Sequence, residues 1–282
     1  MPFAKGDRVK HPGKPEWGIG EVLENSSSSA VRIFFVGAGE KQLSLAHVDL
    51  LPVIGLDAHH PVLDNLKLVP STKGVSYISL PQAISRFLER YPEGFYGQKY
   101  LSEERDYKVK AHKLCQELLG EEKIESARQA KKYDEICKRA LRVVNATNLI
   151  FPNEKMALKD GLVGDYAKKL FAESLYDLLF GSADLESRFN KFRNALEEIG
   201  AAKWTTMTYF LFLTFPETYI FLKPSITQNA ADLSAFEINY RPDVNWFTYK
   251  HVLEFANYLR NALAELKPRD MIDVQSFMWC IC

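Results

Sequence analysis

No sign of charge dominates this sequence: 36 lysines and arginines stand against 36 aspartates and glutamates, a formal net charge of +0. That balance removes any global field aimed at a polyanion, so a nucleic-acid contact has to come from a local patch. Cysteine is scarce. Cys115, Cys137, Cys280 and Cys282 are too few for a disulfide framework in 282 residues, and their spacing fits neither a zinc site nor an iron–sulfur run. The His59-His60 pair has no third ligand in spacing. Long apolar runs are missing as well. The longest, roughly Met207 to Phe215, falls far short of the ~20 residues that span a bilayer. The opening stretch MPFAKGDRVKHPGKPEWG lacks the apolar core of a signal peptide. There is no internal repeat, no phosphate-binding loop, no dinucleotide fingerprint and no GxSxG elbow. These absences lead to the expectation of a cytoplasmic protein with no membrane partner, no metal and no cofactor. Disorder is excluded too, because 46% hydrophobic and 26% charged residues are ordinary for a packed globular chain.

What is present changes in texture along the chain. The runs KGDRVKHP, GIGEVLE, AVRIFFV, KQLSL and HVDLLPV are short and β-prone, separated by Pro, Gly and Ser. Ser26 to Ser29 reads as a hairpin loop. Five strands in so few residues predict a small SH3-like or Tudor-like barrel over residues 1–52, since closure removes exposed edges. Residues 53–80, with GLDAHHPVLD and VPSTKG, read as a linker. From Pro81 the signals turn helical, predicting an all-α domain over 81–282 and an α+β protein overall. Helices are expected from Pro81 to about Tyr91, from a Ser102 cap to Leu119, and over Glu121 to Val144. Others are expected over 165–180 and 182–199, from an Asn245 cap to about Leu266, and at the C-terminal end. The segment KWTTMTYFLFLTF is apolar nearly all round, so it predicts a central buried helix.

Several residues carry chemistry that a reactive or ligand-binding site could use. Asp270 and Asp273 lie three apart, on one side of a helix, next to Met271, Ile272 and Val274; a carboxylate there could orient water. An ordinary helix start with dipole-favoured acids is the other reading. Lys203 and Lys223 bracket the buried helix, and an amine there either attacks an anomeric carbon or anchors a phosphate. Tyr91, Phe95 and Tyr96 form an aromatic turn of the kind that sandwiches an extruded base, or else fill the core. Between Lys108 and Arg142 ten basic residues face six acidic ones. That stretch includes Lys131 and Lys132, and it is either a phosphate-facing strip or a solvated face.

Two stretches resemble known families. GDRVKHPGKPEWGIGEV followed by VRIFFVGAGEKQL is similar to the bacterial DUF3553 domain, a Tudor-like barrel related to those of CarD and of repair helicases. The resemblance implies a barrel that binds DNA, polymerase or another protein. Lys10, His11, Lys14, Trp17 and Arg32 would supply charge and a stacking surface, or Trp17 would sit in the core of a docking module. The second stretch, LEEIGAAKWTTMTYFLFLTFPETYIFLKPSITQ, resembles the helix-hairpin-helix of base-excision DNA glycosylases. In that family hairpin amides hold a phosphate, which here falls to the turn from Gly200 to Ala202, and some members place a nucleophilic lysine near the position of Lys203. The chain departs from the pattern in two places. Phe221-Leu222-Lys223-Pro224-Ser225 carries no catalytic acid, and the second hairpin glycine is absent.

The resemblance implies a DNA glycosylase that flips and excises a modified base from double-stranded DNA. Kinship with anti-phage glycosylases would make phage DNA the substrate and defence the role. A non-catalytic DNA- or polymerase-binding adaptor is the alternative, and a subunit of a restriction-like system is a third reading.

Overall fold

The structure is a computed structural model and describes residues 3–27, 29–68 and 77–282. Ser28 of the expected hairpin loop and the VPSTKG stretch of the expected linker lie outside the described residues. The chain forms two compact units: one gathers residues up to Glu89 with Asn229–Glu237 and Ile281–Cys282, the other Arg90–Gln228 with Ile238–Cys280.

The first unit holds strands β1 (Arg8–Lys10), β2 (Ile19–Val22), β3 (Ala30–Phe35), β4 (Gly39–Ser44) and β5 (Leu51–Val53). They make one antiparallel sheet in the order β4-β3-β2-β1-β5. The two-residue period of β3 sends Val31, Ile33 and Phe35 into a core with Val9, Val22 and Leu50, against which Trp17 packs. Pro52 sits on β5 at one end of the sheet order, where a missing N–H is tolerated. The short helix α1 (Pro61–Asp64) is tied to the sheet by Arg8, which donates to Asp64 at 2.9 Å and to the Ala58 carbonyl at 3.2 Å.

Beyond α1 the chain pairs with a distant stretch of the same unit. Leu66 bridges Phe236, Lys67 N donates to Ala235 O at 3.0 Å, Ile78 N to Leu233 O at 2.9 Å, and Glu237 N to Asn65 O at 2.7 Å. Helix α2 (Leu80–Arg90) follows.

The second unit is helical: α3 (Gln98–Tyr100), a π-helical turn (Leu101–Arg105), α4 (Asp106–Leu119), α5 (Glu121–Gln129), α6 (Tyr133–Asn145), α7 (Pro152–Gly161), α8 (Asp165–Phe180), α9 (Leu185–Glu198), α10 (Trp204–Thr214), α12 (Trp246–Ala262) and α13 (Met271–Ile281), with α11 (Pro224–Leu233) ending in the stretch that joins the first unit. Every residue of α10 is buried, as its all-round apolar pattern predicts. Three boundaries differ from the sequence reading. The helix expected over Glu121 to Val144 is two helices, broken where Lys131 takes φ 55°. Ser102 lies inside the π-helical turn and caps nothing there. Helices α7 and α11 were not expected; Pro152 and Pro224 open them, at first-turn positions where a missing N–H costs nothing.

Candidate active site

Within the helical unit, α4 and α13 meet on a ladder of polar side chains. Arg105 closes the π-helical turn and Lys108 follows three residues later, so the two share a face. Asp273 and Ser276 are likewise three apart on α13. Arg105 Nη1 donates to Asp273 Oδ1 at 2.8 Å, and Lys108 Nζ donates to Ser276 Oγ at 2.7 Å. A π turn shifts the helix face relative to an unbroken α-helix, a device common at functional sites.

The lower rung is a saturated framework. Asp273 is 0% exposed. Its Oδ1 also accepts the Tyr100 hydroxyl at 2.6 Å, and its Oδ2 accepts Arg269 N at 2.8 Å and Arg269 Nε at 3.0 Å. Asp270 takes Arg105 with both oxygens, at 2.7 and 2.5 Å, and accepts Ile272 N at 3.0 Å. Burial works against the Arg105 charge, but the hydrogen bonds to Asp270 and the charges of both aspartates outweigh it and raise its pKa. Burial, then Asp273, pushes the Tyr100 phenol up. Tyr91 and Phe95 meet the Tyr100 ring edge-on at 5.4 and 5.3 Å. Tyr96 is exposed, donates to Lys267 O at 2.9 Å and lies under the Arg269 guanidinium at 4.7 Å.

The upper rung opens into a cavity of about 480 Å³, within the ~300–1,000 Å³ usual for small-molecule sites. Its floor is the Lys108–Glu104 pair, Nζ to Oε2 3.3 Å, with Lys108 only 1% exposed. Burial draws the Lys108 amine down to about 8, against the pull of Glu104. Gln275 lines the same floor at 5% exposure, and its buried Oε1 has no hydrogen-bond partner. Tyr107 forms a wall, its phenol pushed up by burial and by Glu104.

The more exposed residues Glu103, Lys223 and Trp279 make the rim. Lys223 Nζ lies 4.8 Å from the Phe151 ring and 5.7 Å from the Trp279 ring, in cation–π range of both. Glu103 Oε2 accepts the Tyr91 hydroxyl at 3.0 Å. The loop after α6 closes the remaining side through Thr147, whose hydroxyl meets that of Tyr209 at 2.8 Å.

Of the four catalytic candidates from sequence, Lys223 lines this cavity. Lys203 is exposed at the start of α10, and Asp270 and Asp273 belong to the ladder below. Gly200 takes φ 70° in the turn between α9 and α10, and Ala202 is half-buried there. In the first unit Lys10 and Lys14 are exposed; His11 meets Trp17 edge-on at 5.0 Å, and Trp17 leans on Phe35 at 5.2 Å. Lys131 and Lys132 are exposed at the α5–α6 turn. Elsewhere in the strip Arg128 pairs with Glu125 and Glu173 at 2.7 and 2.8 Å, Lys138 with Asp134 at 2.7 Å, and Arg139 with Glu135, while Lys132 lies 4.0 Å from Glu135; Lys110, Lys113, Lys123 and Arg142 are exposed. Lys108, counted in that strip, is buried. Sequence reasoning missed Glu104, Lys108, Gln275 and Trp279.

Among the described residues no group of three or more His, Cys, Asp or Glu is placed to hold a metal ion, and no helix is long and apolar enough to cross a membrane. Residues 3–53 match the family described as "Protein of unknown function (DUF3553)", a span that takes in all five strands. No curated protein and no solved structure matches the chain.

Proposed function

We propose that the helical unit is a DNA glycosylase that draws a modified base out of double-stranded DNA into the cavity between α4 and α13. The observation that carries this reading is the grading of the cavity by depth. An amine, a carboxylate and an unpaired amide oxygen lie at the floor, while a second amine, a second carboxylate and an indole lie at the rim. An extruded nucleotide has the same grading, with the base entering first and the sugar and phosphates staying outside. Lys223 also follows the α9–α10 hairpin at the place where the helix-hairpin-helix resemblance puts the catalytic position.

In this reading Glu103 orients a water at the anomeric carbon and takes its proton. The water's oxygen bonds to that carbon as the glycosidic bond breaks, and the bond's electron pair leaves with the base. The carboxylate also stabilises the oxocarbenium-like transition state. Lys223, between its two rings, holds the flanking phosphate. At the Gly200 turn the Gly200, Ala201 and Lys203 amides already donate to the Glu197, Leu196 and Ala201 carbonyls, which leaves the Ala202 amide to meet another phosphate. The N-terminal sheet, a Tudor-like barrel, adds an accessory contact, and modified phage DNA is the substrate of this reading.

The test is abasic-site formation by the full chain on duplexes carrying modified bases. Excision without a borohydride-trapped adduct is expected. Glu103→Gln should slow it by about 100-fold or more, and Lys223→Ala should weaken it by about tenfold. Failure to release a base from any modified duplex sinks the reading. The adaptor alternative would then take over, favoured by Leu51, Ile54 and Leu56, which stand exposed on and beyond the edge strand β5.

A further inference from the structure

We infer that the groove between α6 and α7 seats the DNA strand beside the first cavity, with Lys155 and Lys159 holding two successive backbone phosphates. This rests on the glycosylase reading for the strand, and on the groove's own residues for the chemistry. The groove is a second cavity, of about 520 Å³, lined by Leu141 from α6 and by Pro152, Lys155, Met156 and Lys159 from α7. Lys155 and Lys159 lie four residues apart, one turn along the same face of α7. Neither has an ion-pair partner among the described residues. Burial draws the Lys155 pKa down, and no neighbouring carboxylate pulls it back. Its ammonium gives one proton to the Thr147 carbonyl, at 2.6 Å, and keeps two for a guest. Lys159 is exposed.

The groove adjoins the first cavity. Thr147, whose carbonyl receives Lys155, also lines that cavity. Phe151, the residue before Pro152, is exposed with its ring 4.8 Å from Lys223 on the cavity rim, so it forms the ridge between the two. At its other end α7 meets the α9–α10 turn, since Gly161 closely approaches the Ile199 carbonyl. Helix α7 therefore runs from the mouth of the first cavity to the turn that offers its Ala202 amide, and the two amines stand at successive turns between. A strand whose base enters the first cavity carries its next phosphates past this helix. Two cations one turn apart suit a repeating anion, where a lone anion would engage only one. Leu141, Pro152 and Met156 give apolar surface to the sugars between the phosphates. Asp160 also lines the groove. Two amines against that one acid leave the lining positive, although the chain as a whole carries +0.

The experiment is a fluorescence-anisotropy titration of the full chain with a labelled duplex carrying one mismatched base pair, repeated over a range of salt. The double variant Lys155→Ala, Lys159→Ala should weaken binding by about tenfold or more. It should also flatten the log–log salt dependence by roughly 1.8, about 0.9 for each of two phosphates. Asp160→Asn, which removes the acid from the lining, should tighten binding by about twofold. Lys155 also holds the Thr147 carbonyl, so circular dichroism checks that the double variant folds. If it does not, Lys159→Glu decides, since that exposed amine is tied to no carboxylate; it should weaken binding by about tenfold. An unchanged salt slope in the folded double variant, unchanged affinity in Lys159→Glu, or weaker binding by Asp160→Asn overturns the inference. Base excision that continues while the double variant binds DNA like the parent removes this strand path and leaves the glycosylase reading. A slope that flattens as expected, with no base released from any modified duplex, does the reverse.

Discussion

Lys108 carries a charge that its surroundings oppose, and that opposition has a measurable sign. Its folded-state pKa lies at about 8, below the ordinary 10.5. Between those values the unfolded chain holds the proton and the folded chain does not, so stability rises with pH across that window. Below it, burying the ammonium costs stability. Urea unfolding of the parent and of Lys108→Met at about pH 7 and about pH 10 should show the parent gaining up to roughly 3 kcal/mol relative to the variant. A constant gap would mean that Lys108 is not desolvated as described. Asp273 is held differently: each of its oxygens already accepts from Tyr100, Arg105 or Arg269. Asp273→Asn should cost about 3–5 kcal/mol in thermal unfolding, the cost of breaking a buried charge network.

Part of this was legible in the sequence. Asp273 was readable as an acid against buried surface, but Arg105 and Tyr100 lie 168 and 173 residues upstream, and no local pattern announces such pairings. Glu104 and Lys108 did leave a signal. They fall on the same helical stripe as Ala111, Cys115 and Leu119, all buried, and two charges on an apolar stripe mark a polar site inside. Counting charge without helical phase hid it.

At the scale of elements, the α9–α10 hairpin is locked by two glycines for different reasons. Gly200 needs its positive φ of 70°, and a Cβ there would meet nothing within 4 Å. Gly161, the last residue of α7, needs its bare Cα, since a Cβ would lie 2.1 Å from the Ile199 carbonyl oxygen just before the turn. Gly200→Ala should therefore cost about 1 kcal/mol, from backbone strain alone. Gly161→Ala should cost more, roughly 1–3 kcal/mol, as α7 is pushed off the hairpin. Denaturant midpoints of the two variants rank them, and the reverse order would refute the close approach. Glycine as a helix stop was visible from sequence; which backbone it lets approach was not. Strand positions were legible because the short β-prone runs are punctuated by Pro, Gly and Ser. Helices α7 and α11 were not, because a proline's role as stop or start depends on packing that only the fold supplies.

For the whole molecule, a net charge of +0 makes DNA affinity a matter of a few exposed cations. Arg128, Lys138 and Arg139 are paired to acids, and Lys131 and Lys132 are the exposed cations at the α5–α6 turn, besides Lys110, Lys113, Lys123 and Arg142 elsewhere in the strip. Reversing Lys131 and Lys132 to glutamate should weaken binding to every sequence alike. It should also flatten the log–log salt dependence by about 0.9 for each phosphate that is no longer neutralised. An unchanged slope in a fluorescence-anisotropy titration would take the α5–α6 turn out of the interface.

The first unit is assembled from three separate stretches of chain, and residues 3 and 282 both belong to it. Its last stretch is held by Arg86, which donates to the Ile281 carbonyl at 3.3 Å. A mechanical load applied between those two residues therefore meets the Arg86 contact inside the first unit. Pulling in an optical trap should show an early rupture that belongs to the first unit, followed by a longer extension as the helices come under tension. An early rupture moved to lower force by Arg86→Ala would identify that contact as the clasp.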